Sequence, residues 1–231
     1  MNCNPKEEPS AMRKILLATI AICLLINPMS YAQAQPEADD SENPIVVKFV
    51  NQLLKLKTLK AHVETKMDNQ QSNVKLNYKG DIEMRGAEYK FKGMGMEVYS
   101  NGKERWQYLP KEKEVTVYAV DSADQSPMTH PLAILKNYRQ MYKVRFRGER
   151  KEKKVTYYDI SLYPKDLNAP YSQIHLAILK KDLAPAKITY RGKDGVHYTI
   201  EITSFQPDAI LSKDFARDPR RIRGVEVVDL R

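Results

Sequence analysis

Between residues 59 and 204 the chain alternates apolar and polar positions with a period of two, broken only by short polar turns and one apolar cluster. Ala61, Val63, Thr65 and Met67 alternate with charged or polar neighbours, and so do Val74, Leu76, Tyr78, Gly80, Ile82 and Met84. That period puts the apolar set of each segment on one side of a strand. Further strands are expected over 89–99, 103–109, 115–120, 142–147, 155–162, 172–179, 186–191 and 196–204. Helical spacing comes earlier, where Asn43-Pro44 reads as an N-cap and first helical residue. Val46, Phe49, Val50, Leu53 and Leu54 follow at steps of three and four, predicting a helix over 44–56. A second helical break is expected over 131–138, where Leu132, Ile134 and Leu135 cluster.

The stretch 100–117 carries the strongest local signal. Asn101-Gly102 is expected to supply the two positive-φ residues of a two-residue hairpin loop, Pro110 and its charged neighbours close the next connection, and between them Trp106, the only tryptophan, shares a strand face with Tyr108. Consecutive strands joined by short polar turns make the fold class mainly β with a few helices (α+β), an antiparallel meander. A sheet of this length curls or closes, and the helices are expected over its concave side.

The amino terminus reads as an export signal. Arg13-Lys14 precede an uncharged apolar run over 15–26, and Ala32-Gln33-Ala34 forms an A-x-A cleavage site, so removal of residues 1–34 is expected. The run is short for a membrane span. Residues before Met12 suit a signal poorly, and translation from Met1 or from Met12 both remain open. Both cysteines, Cys3 and Cys23, fall inside the removed segment, leaving no disulfide, thiolate nucleophile or cysteine-ligated metal in the mature chain. Residues 35–42 read as a polar, acidic, flexible lead, and 43–231 as one domain large enough to bury its own core. The formal net charge of +9 favours acidic partners, but an exported chain makes nucleic acid an improbable one. A monomer is expected, and residues 147–154 read as a solvated hairpin tip.

Catalytic constellations are scarce. The four histidines, His62, His130, His175 and His197, lack metal-ligand spacing, and there is neither a phosphate loop nor a nucleophile elbow. Asp159 and Glu201 sit within strands, Glu201 on the solvent face and Asp159 ambiguous, neither with an identifiable acid or base partner. No enzyme activity, catalytic residue, metal or cofactor is expected. The apolar side is richer: fourteen tyrosines, Trp106 and the Gly93-Met94-Gly95-Met96 element make either a surface able to repack around a soft ligand or ordinary core with a bulge.

The hairpin over 101–110, with Gly102, Trp106, Tyr108, Pro110 and the following Val115, resembles that of the LolA-type outer-membrane lipoprotein carriers. Gly80-Asp81-Ile82 resembles the strand leading to that family's functional arginine, residues 131–135 its short lid helix, and 211–215 with 224–228 its last strands. The resemblance covers most of the mature chain in the same order. It implies an unclosed antiparallel β-barrel with helices as a lid over a hydrophobic cavity. It also implies a periplasmic chaperone that takes acylated lipoproteins from an inner-membrane exporter to an outer-membrane acceptor. A general lipid or glycolipid shuttle and a lipoprotein-sensing module on the same fold are the alternatives.

Carried over by position, Arg85 corresponds to the arginine that ties the lid shut, with Tyr89 and Phe91 at the aromatic positions after it. Met94, Met96, Trp106, Tyr108, Leu132, Ile134 and Leu135 complete the candidate cavity and lid. The family has Arg-Pro where this chain has Arg85-Gly86, one residue closer to the Gly-Asp pair, so a lid latch and a surface turn residue both stay open for Arg85. A polar residue at Leu135 is expected to weaken lipid binding while the fold survives.

Overall fold

Helix α1, Pro44–Leu54, starts where the Asn43-Pro44 pair predicts it. Asn43 Oδ1 accepts from the Ile45 N–H at 2.9 Å, and proline at the first turn lacks only a donor that would have no helical partner. The computed structural model describes residues 38–120 and 133–231. In chain order the strands are β1 Leu59–Asn69, β2 Val74–Arg85, β3 Glu88–Gly93, β4 Met96–Ser100, β5 Glu104–Leu109 and β6 Glu114–Ala119. After the short helices α2, Ala133–Lys136, and α3, Tyr138–Met141, come β7 Tyr142–Glu152, β8 Val155–Pro164, β9 Tyr171–Leu179, β10 Pro185–Gly192, β11 Val196–Pro207 and β12 Glu226–Asp229.

All twelve strands form one unclosed sheet in the order β12-β6-β5-β4-β3-β2-β1-β11-β10-β9-β8-β7. The class is therefore the mainly β, open-sheet architecture that the alternation implies. Neither edge is left as a bare ladder. Along β7 the Asp40 N–H donates to Val144 O, and the Asp39 and Asp40 carboxylates accept from the Val144 and Phe146 N–H groups at 3.1 and 3.0 Å. These two aspartates belong to the stretch expected as a flexible lead, and here they are tied to the sheet. At the other edge β12 is only four residues long and carries Glu226 and Asp229, which discourages further pairing.

Four local expectations are corrected. The single strand expected over 89–99 is a hairpin, β3 and β4, whose two-residue loop Met94-Gly95 has φ of +56° and +75°, so the Gly-Met-Gly element is a turn and not a bulge. Asn101-Gly102 is not a two-residue loop with both residues at positive φ. The loop spans three residues, only Gly102 is at positive φ (+82°), and Asn101 Oδ1 accepts from the N–H groups of Lys103 and Glu104 at 2.9 and 2.8 Å. The meander is also not wholly antiparallel, since β12 lies parallel to β6, and residues 211–215 form turns rather than a strand.

Two cores lie on opposite faces of this sheet. On one, here called the helix face, Val46, Phe49, Val50 and Leu53 of α1 pack with Leu135 and Tyr138 against Tyr142, Val144, Ile160, Leu162, Ile174, Leu176 and Ile178. Each such side chain contributes about 1.5–3 kcal/mol when fully buried. At one end of this core the Tyr142 and Tyr171 hydroxyls meet at 2.6 Å, so the polar tips satisfy each other. On the opposite face a second core gathers Tyr99, Trp106, Val115 and Val117, with Tyr108 and Val225 against it.

Candidate functional site: an apolar sheet face and its opposite

Cross-strand partners point to the same side of a sheet, so the register sorts every residue by face. Leu59 pairs with Met84, Ala61 with Ile82 and Phe205, Val63 with Ile202, Thr65 with Ile200 and Met67 with Tyr198. Met84 pairs in turn with Tyr89 and Ile82 with Phe91, and Phe91 pairs with Val98 and Gly93 with Met96. Ile200 pairs with Ile188, which faces Leu176 in the α1 core. The helix face is thus a continuous apolar surface from β4 to β8. Over β8 and β9 it is tightly packed under α1, whereas Ile82, Phe91, Met96, Val98, Met67, Ile200 and Ile202 beyond it are only half-buried.

Glycine shapes part of this surface. A Cβ on Gly80 would come within 2.5 Å of the Phe91 ring, and one on Gly93 within 2.7 Å of Lys79 O. The paired glycines leave the space in which that ring lies over the sheet.

Tyrosines line one end. The rings of Tyr142, Tyr171, Tyr190 and Tyr198 follow one another at centroid distances of 6.4, 4.8 and 6.1 Å across β7, β9, β10 and β11. Burial, then the negative fields of neighbouring groups, pushes the Tyr190 hydroxyl to a pKa of about 12, so the row stays neutral at physiological pH.

The expected site residues divide between the faces. Tyr89, Phe91 and Met96 lie on the apolar helix face, Tyr89 already 9% exposed, while Met94 sits exposed at the β3–β4 turn. Trp106 and Tyr108 pair with Tyr99 and Glu97, and Tyr99 with Lys90, which places both on the opposite face in the second core. Arg85 is on that opposite face too. Its Nη2 lies 2.7 Å from Glu88, and its guanidinium sits 5.2 Å from the Phe215 ring, so its partners are the neighbouring strand and the C-terminal segment. Gly86, at φ +60°, opens the two-residue β2–β3 loop where the carriers have proline. Leu135 is part of the α1 core, and a polar residue there would disturb the fold, contrary to the expectation that it would not. Leu132 and the side chain of Ile134 lie outside the described residues.

Residues 208–225 run across the opposite face of β2–β6 as a strap. Ser212 donates its N–H to the Glu83 carboxylate at 3.2 Å and its hydroxyl to the same group, while Lys60 lies 2.9 Å from Glu83 and Lys90 2.6 Å from Asp214. Burial opposes the charge of Glu83, but the hydrogen bonds from Ser212 and Lys60 outweigh it and hold the carboxyl below its ordinary range. Hydrogen bonds from Lys90 and Ser212 bring Asp214 down to about 2.

Both folded-state pKa values are depressed, so these groups stabilise the strap above their unfolded values of 4.5 and 3.8 and cease to do so as pH falls toward 2. Trp106 emission, reporting from beneath the strap, is therefore expected to shift to longer wavelength across that window in a pH titration. Emission unchanged down to pH 2 would contradict the anchoring role.

Sequence reasoning missed one polar cluster on this face. Arg150 binds Asp159 through Nε and Nη2 at 2.7 and 3.3 Å, His175 Nε2 lies 3.3 Å from Asp159, and Ser161 Oγ lies 3.3 Å from His175 Nδ1. Only register across β7, β8 and β9 brings them together, and no spacing along the chain announces it. Arg150 occupies both carboxylate oxygens and Ser161 is 2% exposed in mid-strand, so the cluster ties strands together and presents no accessible nucleophile. Among the described residues no three potential metal ligands lie together, and no helix is long and apolar enough to cross a membrane.

A protein-family model described as "-like: Uncharacterized protein" matches residues 87–207, more than half of the chain, and the chain belongs to that family. No curated protein matches it in sequence. Among solved structures it is similar to an uncharacterized conserved protein from Thermus thermophilus at 13% identity and a TM-score of 0.54, with 82% of this chain and 99% of that one covered. It is also similar to the Mycobacterium tuberculosis lipoprotein LppX at 10% identity and a TM-score of 0.47, covering 76% of this chain and 99% of that one. A LolA superfamily protein from Nitrosomonas europaea matches at 11% identity and a TM-score of 0.39, covering 74% and 95%. The Thermus match shows a shared fold, and at that identity it speaks to fold alone.

Proposed function

We propose that this protein binds acyl chains on its helix face and carries acylated lipoproteins through the periplasm, from an inner-membrane exporter to an outer-membrane acceptor. The observation that carries the reading is the apolar surface of β1–β4 and β11, continuous with the α1 core yet only half-buried. Export through the expected 1–34 signal and the resemblance of the 101–110 hairpin to the LolA-type carriers support it.

Elementary energetics gives the reason for such a face. Each acyl CH₂ exposed to water costs about 0.8 kcal/mol, so three chains of ~16 carbons would cost roughly 40 kcal/mol if fully exposed. Non-covalent affinities saturate near roughly −18 to −21 kcal/mol, and a carrier also releases its cargo. An apolar face that stays half-open covers chains incompletely and keeps handover possible.

Mass spectrometry of what co-purifies with the protein from the periplasm tests the reading. Acylated peptides are expected. Free glycerolipids or glycolipids would favour a general lipid shuttle, and no lipid of any kind would contradict acyl binding.

A further inference from the structure

The face opposite the acyl surface holds a recess of its own, about 310 Å³, between the β4–β5 hairpin and the strap. That is at the lower end of small-molecule sites, roughly 300–1,000 Å³. Its walls include the aromatic rings of Tyr99, Trp106 and Phe215, each at least nine-tenths buried. The indole Nε1–H of Trp106, a donor with no acceptor role, is buried and has no hydrogen-bond partner.

The charges around the recess are matched except for one. Glu88 is held by Arg85, and Asp218 accepts from Arg220 Nε and Nη2 at 2.9 and 3.0 Å, with Arg221 at 3.8 Å. Arg220 itself lies over the Trp106 ring at 5.1 Å and near Glu104. Arg217, on the rim, is exposed and has no ion-pair partner among the described residues.

We propose that this recess is a second binding site, for a carboxylate carried on an aromatic or apolar body. The body fits against the edges of the three rings, and the carboxylate meets the planar guanidinium of Arg217. One unmatched cation beside the acidic Glu88 and Asp218 suits a single negative charge and disfavours a phosphate dianion. The proposal is independent of acyl binding, which uses the other face.

The chain has one tryptophan, so the full protein labelled with ¹⁵N gives one indole N–H cross-peak, a direct reporter of the site. N-acetyl-phenylalanine is expected to move that peak saturably, and the neutral N-acetyl-phenylalaninamide to leave it in place. Arg217→Gln, at an exposed residue, is expected to weaken the acid by about tenfold or more while the spectrum stays folded. A peptide with a C-terminal phenylalanine carboxylate that binds more tightly than the small acid would make a chain end the source of the ligand, and equal or weaker binding would make it a small acid. A peak moved by neither compound, equal shifts from acid and amide, or an unchanged affinity in Arg217→Gln would each overturn the site.

Discussion

Phe49→Ala is expected to lower the thermal midpoint by roughly 6–20 °C. Phe49 is 2% exposed at the centre of α1, among Val46, Val50 and Leu53 and against the side chains of β7–β9. Truncating such a ring costs about 3–5 kcal/mol, and in a chain of this size each kcal/mol moves the midpoint by about 2–4 °C. Lys48→Ala, on the exposed side of the same helix, is expected to stay within about 0.5 kcal/mol of the parent. Equal midpoints for the two variants, by calorimetry or circular dichroism, would mean that α1 does not cover the sheet as described.

Glu83→Leu is expected to cost roughly 2–4 kcal/mol and to free the strap. Glu83 is 8% exposed and accepts from the Ser212 N–H, the Ser212 hydroxyl and Lys60, so its removal leaves those donors without their common acceptor. Lys90, which reaches the same serine at 3.4 Å and Asp214 at 2.6 Å, loses both strap partners when the strap is released. Because Phe215 and Arg220 of the strap lie over the second core, its release is expected to expose Trp106. A red-shifted emission and faster quenching by iodide would show this, whereas parental fluorescence in a destabilised variant would place the loss elsewhere.

How far the sequence discloses this molecule follows from the range of the forces involved. Helix α1 was legible because its signals are local: an N-cap, a proline at the first turn and an apolar stripe within eleven residues. The strands were legible from alternation, and so was the open β architecture. The β3–β4 break was hidden because methionine at positive φ does not advertise a turn as asparagine or glycine does.

The site was the least legible part. Alternation tells which residues share a side within one strand, as Trp106 and Tyr108 do, but the relation between strands depends on register and on every loop length. The candidate residues were therefore gathered into one cavity, although Tyr89 and Phe91 lie on one face of the sheet and Trp106, Tyr108 and Arg85 on the other. The anchoring of Glu83 by Ser212, 129 residues apart, carries no sequence signal at all.

The central claim, that acyl chains bind the helix face, is tested most directly by two adjacent residues of β11. Ile200 points to the helix face beside Ile188 and Thr65, and Thr199 points to the opposite face beside Thr189 and Lys66. Affinity for a long-chain fluorescent fatty acid is measured for the parent, Ile200→Gln and Thr199→Gln, with folding checked by circular dichroism. Burying an amide without a partner costs about 1–3 kcal/mol, so Ile200→Gln is predicted to bind about tenfold more weakly and Thr199→Gln within about twofold of the parent. No binding by the parent, or the same affinity in all three folded proteins, would contradict the account.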